Sequence, residues 1–260
     1  MILTEIIFYS AIQGVSEFLP ISSSGHLLIL EKAFNWQISG RTYAIAAHLG
    51  TLLAVLFYLK KDLIDLILFI NKPKNYKFIL NLILITLPII IVGLLIFKTY
   101  DNILLTLKIV ALTSILGSII LFYVDFATKE NNKKMTELSY IQSFIIGIFQ
   151  IFALIPGTSR AGCIITGARL FKLNRIEATK LGLFTGIPSI TGAIMLESSW
   201  LISNYKNYDM LILFLIIFLS GIFALISIQL LLKWLKNKSF TPFVIYRITL
   251  GIFILIYISN

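Results

Sequence analysis

Long apolar runs recur along the chain, separated by short polar breaks: Ala44–Leu59, Phe78–Phe97, Ile103–Val124, Leu181–Leu196, Met210–Leu232 and Phe243–Ser259. A helix needs roughly 20 apolar residues, with about 17 to 25 the usual range, to cross a bilayer. Each run reaches that length directly or once its flanks are counted, which predicts six transmembrane spans. Four other runs, Ile6–Leu19, His26–Ala33, Tyr140–Ile155 and Cys163–Phe171, are too short or too broken by polar residues to cross. They come as two pairs, each interrupted by a Pro/Gly/Ser stretch. That is the pattern of re-entrant helical hairpins, which a membrane accommodates only where protein or water covers the broken backbone. Leu63–Ile70, with Asp62 and Asp65 at its start, predicts an interfacial helix. The expected fold class is an all-α polytopic membrane protein with six spans and two re-entrant hairpins, forming one integral membrane domain over residues 1–260.

Composition agrees with that pattern. Of 260 residues, 58% are hydrophobic and 13% charged, whereas soluble domains run at about half apolar and a quarter charged. The formal charge is +10. In a membrane protein such an excess marks cytoplasmic loops, so no nucleic-acid partner is expected. Cys163 is the single cysteine and excludes an intrachain disulfide. Met1–Ser10 carries no basic n-region and no small-residue cleavage site, so no removable signal peptide is expected.

The chemistry sits in the two hairpins. Gln13 to His26 reads QGVSEFLPISSSGH. Gln13 and Glu17 share one helix face, and Pro20 ends that helix. Ser22 to Gly25 read as a polar turn, with a second helix expected from His26. A helix N-terminus rich in Ser and Gly is a ready anion site. The layout recurs: Gly14, Glu17, Pro20 and Gly25 have counterparts in Gly147, Gln150, Pro156 and Gly162, and GTSRAG stands where ISSSG does. Repeat halves of approximately 1–130 and 131–260 follow, with a binding site expected near the bilayer midplane between the interrupted segments.

Charge gives the orientation. Fifteen Lys and Arg residues fall in the stretches 60–77, 125–139, 169–180 and 233–239, against Lys32, Arg41, Lys98 and Lys206 on the other side. The richer side is expected to be cytoplasmic. Both termini then lie outside, the two hairpins enter from opposite faces, and the halves are inverted relative to one another.

An acid inside a membrane is functional by default, which singles out Glu17 as metal ligand or proton acceptor. Arg160 stands in a short Gly/Ser turn, and its planar guanidinium suits phosphate oxygens; a structural pair with Glu17 is the rival reading. His26 is a candidate acid or base beside a serine, or a hairpin cap. Among Ser22, Ser23 and Ser24 the residues alone do not choose a nucleophile from the cap and turn residues. His48 is expected to hydrogen-bond between helices, Lys108 to snorkel to the outer interface, Arg247 to anchor near the cytoplasmic interface, and Gly93, Gly117, Gly186 and Gly221 to be helix-packing positions.

QGVSEFLPISSSGH and IPGTSRAG, with HLGTLLAV after the first and FTPFVIYR near the end, resemble the undecaprenyl-diphosphate phosphatase family over essentially the whole chain. The resemblance implies hydrolysis of undecaprenyl diphosphate to the monophosphate plus phosphate. That reaction recycles the lipid carrier of cell-wall synthesis and confers bacitracin resistance. It implies an inverted-repeat fold in the bacterial inner membrane, an active site open to the periplasmic side, and a divalent cation, Mg2+ or Ca2+. It places the essential serine and histidine on Ser23 and His26, the arginine motif on Pro156–Gly162 with Arg160, and the first acidic motif on Gln13 and Glu17. Gln13 takes the amide option there, so only Glu17 offers a carboxylate; Ala161 stands where serine is common. Catalytic roles are thus expected for Glu17, Ser23, His26 and Arg160, substrate contacts for Ser22, Ser24, Gly25, Gly157, Thr158 and Ser159, and metal contacts for Glu17 and Gln13. Ser23 would attack phosphorus while His26 takes its proton; attack by a metal-bound water stays open. The expected partners are the polyprenyl diphosphate and membrane lipids, with a homodimer left open. The competing class is a secondary transporter or flippase of a lipid phosphate, which shares the broken-helix layout.

Overall fold

The computed structural model describes residues 2–34, 36, 38, 40–96, 106–128, 133–204 and 209–259, without the side chains of 33, 34 and 198–204. Lys98, Lys129 and Lys206, and the expected span ends Phe97 and Ile103, lie outside the described residues. The described chain forms eleven α-helices and no strand: α1 (Ile2–Phe18), α2 (Ser23–Phe34), α3 (Arg41–Tyr58), α4 (Lys60–Leu68), α5 (Pro73–Ile96), α6 (Leu107–Ala127), α7 (Tyr140–Ile151), α8 (Arg160–Leu170), α9 (Arg175–Asn204), α10 (Met210–Trp234) and α11 (Thr241–Ser259). Six of them, α3, α5, α6, α9, α10 and α11, are long and apolar enough to cross a membrane, and they coincide with the six apolar runs. The expected interfacial helix is α4, a turn earlier than the sequence suggested; none of its residues is buried.

The remaining helices form two interrupted pairs, α1/α2 and α7/α8, broken around Pro20 and Pro156. Each second helix is started by a serine in the left-handed backbone region. Ser22 (φ 75°) and Ser159 (φ 74°) hold that conformation. Their hydroxyls accept from the N–H three residues on, Gly25 at 3.4 Å and Gly162 at 3.1 Å, satisfying a donor that a helix start otherwise leaves open. The sequence reading of Ser22–Gly25 as a turn is corrected accordingly. The cap is Ser22 alone, and Ser23, Ser24 and Gly25 already belong to the first turn of α2.

Two contacts between helices mirror one another. α1 lies along α10, and α7 along α5. Gly14 meets α10 so closely that a Cβ would stand 2.6 Å from the Ser220 carbonyl, and a Cβ on Gly147 would stand 2.7 Å from the Leu84 carbonyl of α5. Close backbone approach at small residues is how helices associate in lipid, where apolar burial alone gives no preference for a neighbour. α3 packs on α10 through Gly50 and Gly221, and α6 on α11 through Gly251. At one end of the bundle the buried Arg169 donates to the carbonyls of Leu173 (2.7 Å) and Thr128 (2.9 Å). Asp125 pairs there with Arg169 at 2.9 Å and Arg175 at 3.0 Å. This knot ties the ends of α6 and α8 to the start of α9, so the basic stretches after α6 and after α8 share one end of the bundle.

Candidate active site

The two breaks bring polar side chains from distant parts of the chain onto one carboxylate. Glu17, at the end of α1, is buried. Its Oε1 accepts from Arg160 Nη2 at 3.0 Å, and its Oε2 accepts from Ser23 Oγ at 2.7 Å and from Gln13 Nε2 at 2.9 Å. A buried carboxylate without partners costs several kcal/mol; here a cation, a hydroxyl and an amide share it. Arg160 is held from its other side by the Gly182 carbonyl of α9 at 3.2 Å. Gly186 makes room for it, since a Cβ there would stand 2.6 Å from Arg160 Nη1.

Glu17, Ser23 and Arg160 line one end of a cavity of about 660 Å³, together with Ser22, Ser24, Ser159 and His48. The N-termini of α2 and α8 both open onto it. Each supplies backbone N–H groups without intrahelical partners, which together with the guanidinium favour an anion.

His48 of α3 belongs to this site more closely than the sequence indicated. Gln13 Nε2 lies 3.0 Å from His48 Nδ1. An amide nitrogen only donates, so Nδ1 accepts and the ring proton of neutral His48 sits on Nε2. The same Nδ1 is 3.5 Å from Glu17 Oε2.

His26 faces other partners. Its Nδ1 lies 2.7 Å from the Ser22 carbonyl, which only accepts, so Nδ1 carries a proton. In the neutral ring Nε2 then accepts from Tyr246 Oη at 2.6 Å. Both nitrogens are engaged, neither with Ser23, whose hydroxyl donates to Glu17 instead. The expected Ser23–His26 contact is therefore replaced by a Ser23–Glu17 one, and His26 holds the carbonyl of the capping serine.

Gly25, Gly157 and Thr158, expected to touch substrate, do not line the cavity. They seat the two breaks against each other: a Cβ on Gly25 would stand 3.3 Å from Gly157 Cα. The residue that joins them is Arg247. Placed by the sequence near the cytoplasmic interface, it is instead 1% exposed in the bundle interior. It donates to the Pro20 carbonyl (3.3 Å) of the first break and to those of Gly157 and Thr158 (2.9 Å each) in the second. The signal was present in the sequence, as a charged residue inside an apolar run. Gly117 is the space beside it, not a helix contact, with a built Cβ 2.9 Å from Arg247 Nη2.

For a divalent cation the donor set is narrow. Among the described residues no three His, Cys, Asp or Glu side chains converge. Both Glu17 oxygens already accept from protein donors, one of them cationic. Gln13 presents its nitrogen to the carboxylate, while its Oε1 is buried without a partner. These residues do not build a cation site of their own.

The sequence model of the family described as bacitracin resistance protein BacA matches residues 6–253. The chain belongs to the BacA family. Relatives named undecaprenyl-diphosphatase align over almost its whole length. The one from Pelagibacter ubique (strain HTCC1062) is 40% identical over 261 residues, covering 98% of each chain. The one from Alteromonas mediterranea is 34% identical over 258 residues, covering 96% of this chain and 97% of its own. The one from Magnetococcus marinus is 36% identical over 255 residues, covering 94% of each. In this BacA family member, Glu17, Ser23 and Arg160, which the sequence motifs singled out, meet at one cavity, and Gln13 donates to Glu17. His48 joins them there.

Proposed function

We propose that this protein hydrolyses undecaprenyl diphosphate to undecaprenyl phosphate and phosphate, the activity named for its relatives, and so returns the lipid carrier to cell-wall synthesis and protects against bacitracin. The observation that carries this reading is a serine hydroxyl donating at 2.7 Å to a carboxylate that an arginine grips at 3.0 Å, at the polar end of a cavity with apolar walls. A carrier of lipid phosphates has use for the arginine but none for a hydroxyl aligned on a base.

In the proposed reaction the terminal phosphate lies against Arg160 and the N-termini of α2 and α8. Ser23 Oγ attacks the terminal phosphorus and its proton passes to Glu17 Oε2. The new Oγ–P bond forms as the P–O bond to the bridging oxygen breaks, and undecaprenyl phosphate leaves with the proton that Glu17 took from Ser23, which restores the carboxylate. Water then attacks the phosphoserine, giving its proton to Glu17, and Ser23 Oγ recovers one as phosphate departs. Preorganised donors around the phosphate supply the charge stabilisation. His26 acts as a positioning residue by fixing the Ser22 carbonyl. A cation requirement, which the family resemblance implies, would reside in the diphosphate that the cation accompanies; no step is assigned to it.

The two interrupted helix pairs are read as re-entrant hairpins of an inverted repeat, with halves of approximately 1–130 and 131–260. The reciprocal Gly14 and Gly147 contacts and the twin Ser22 and Ser159 caps support this. With the basic stretches in the cytoplasm, the cavity serves the periplasmic side of the inner membrane. Phosphate release from undecaprenyl diphosphate by the purified protein in detergent tests the activity; no release above a Ser23→Ala control would refute it.

A further inference from the structure

Two residues beside Glu17, Gln13 and His48, take no part in the reaction above. Gln13 is buried, and its amide nitrogen carries two N–H groups. One is directed at Glu17 Oε2 at 2.9 Å and the other at His48 Nδ1 at 3.0 Å. Turned over, the amide would set its oxygen against the carboxylate, acceptor to acceptor. Glu17 thus fixes the amide and the amide fixes the imidazole, whose proton is held on Nε2. That N–H has no taker in the protein. Nε2 makes no hydrogen bond among the described residues, and it is not one of the buried side-chain atoms left without a partner. His48 lines the cavity beside Ser23 and Arg160, with its side chain 28% exposed. One ring nitrogen is turned to Gln13 and Glu17, and the other is open to the cavity.

We propose that His48 is a further substrate-binding residue, whose Nε2–H donates to a non-bridging oxygen of the terminal phosphate. This rests on the phosphatase reading above and adds a contact to the phosphate that is transferred. Its place is defined by Glu17 Oε2, which lies 2.7 Å from Ser23 Oγ and 3.5 Å from His48 Nδ1. The hydroxyl and the imidazole stand at one oxygen of the carboxylate, and Arg160 stands at the other. A phosphorus within reach of Ser23 Oγ therefore has oxygens within reach of the far side of the imidazole. Arg160 supplies charge to that phosphate. An uncharged donor held in one tautomer supplies direction, as preorganised donors do at other sites of charge development. Gln13 is a positioning residue in this arrangement, since it acts on the phosphate only through the ring.

Two variants separate the donor from a merely structural role. His48→Asn leaves an acceptor in the place of Nδ1 beside Gln13 and takes the donor away, whereas His48→Gln carries an N–H to the place of Nε2. A hydrogen bond to a charged group is worth roughly ten- to hundredfold in binding. Affinity for methylenediphosphonate, a diphosphate with carbon in place of the bridging oxygen, should fall by about that factor in His48→Asn. The kcat/KM for undecaprenyl diphosphate should fall with it, and His48→Gln should recover most of both losses. Recovery by asparagine at least as good as by glutamine would show that His48 only holds Gln13, and would overturn the proposal.

The unmodified protein gives a readout that is independent of turnover. The chain has two histidines, so each tautomer can be read separately in nitrogen-15 spectra of the histidine-labelled, full-length protein in detergent. With both rings neutral, His48 should be protonated at Nε2. His26, whose Nδ1 lies 2.7 Å from the Ser22 carbonyl, should be protonated at Nδ1. Methylenediphosphonate added with Mg2+ should then shift His48 Nε2 and its proton far more than either nitrogen of His26. His48 protonated at Nδ1, or a titration to saturation that leaves its Nε2 unmoved, would overturn the contact. The same shift in a protein that releases no phosphate would keep the contact and remove the phosphatase.

Discussion

Ser22 and Ser159 share a positive φ, 75° and 74°, and each caps the helix that begins one residue later, at Ser23 and at Arg160. A side chain in that region is strained by about 1–2 kcal/mol, and the cap contributes about 1 kcal/mol in return. Ser159→Gly should therefore be nearly neutral in thermal stability, exchanging the cap for backbone relief, whereas Ser159→Val keeps the strain, loses the cap and should cost at least about 1 kcal/mol. Thermal unfolding in detergent checks the order of the two variants.

The Glu17–Arg160 pair joins the two breaks at 3.0 Å. Removing one partner of a buried pair leaves the other uncompensated, at about 3–5 kcal/mol. Glu17→Gln and Arg160→Gln should each abolish turnover and each destabilise the fold. The double variant should be more stable than either loss added to the other predicts, by about 1 kcal/mol or more. Additive unfolding shifts would mean the pair is not coupled.

Arg247 ties the Pro20, Gly157 and Thr158 carbonyls together. Its loss leaves buried acceptors unpaired at about 1–3 kcal/mol each. Arg247→Met should reduce kcat strongly and lower the unfolding temperature, and Arg247→Lys should recover part of the stability but little of the rate, because an ammonium cannot reproduce the planar fork. Recovery of full turnover by lysine would show that only the charge matters.

Among the described residues no three His, Cys, Asp or Glu side chains converge on one point. Calorimetric titration with Mg2+ should give no saturable binding to the protein by itself, and binding should appear once a non-hydrolysable diphosphate lipid is present. Tight binding without the lipid would place a cation on residues other than these.

Much of this site was legible because the membrane makes polar residues conspicuous. Glu17, the three serines and Arg160 stand out in apolar sequence, and the six spans follow from run length alone. What the sequence does not carry is the rotation of one helix against another. The contact of His48 with Gln13 and that of Arg247 with both breaks depend on it, as does the use of Gly117 and Gly186 as room for arginines. The start of α2 was misplaced for a local reason. Left-handed residues are usually glycine, and nothing marks Ser22 as one in the run Ser22-Ser23-Ser24. His26 looked like the partner of Ser23 by proximity in sequence, but its ring is already committed to Ser22 and Tyr246.

The measurement that bears most directly on the mechanism is an acid quench during turnover of undecaprenyl diphosphate labelled in its terminal phosphate, with Ser23→Ala, Ser24→Ala and Ser22→Gly alongside. Glycine is used at position 22 because it removes the hydroxyl while relieving the strain of a Cβ at φ 75° that offsets loss of the cap. If Ser23 attacks phosphorus, labelled phosphoserine is trapped at position 23. Ser23→Ala then loses both the label and at least about a thousandfold in rate, while the two neighbours lose about tenfold or less, the worth of a hydrogen bond. Equal, modest losses at all three serines with no trapped phosphoserine would contradict the covalent step and leave a water as the attacking group.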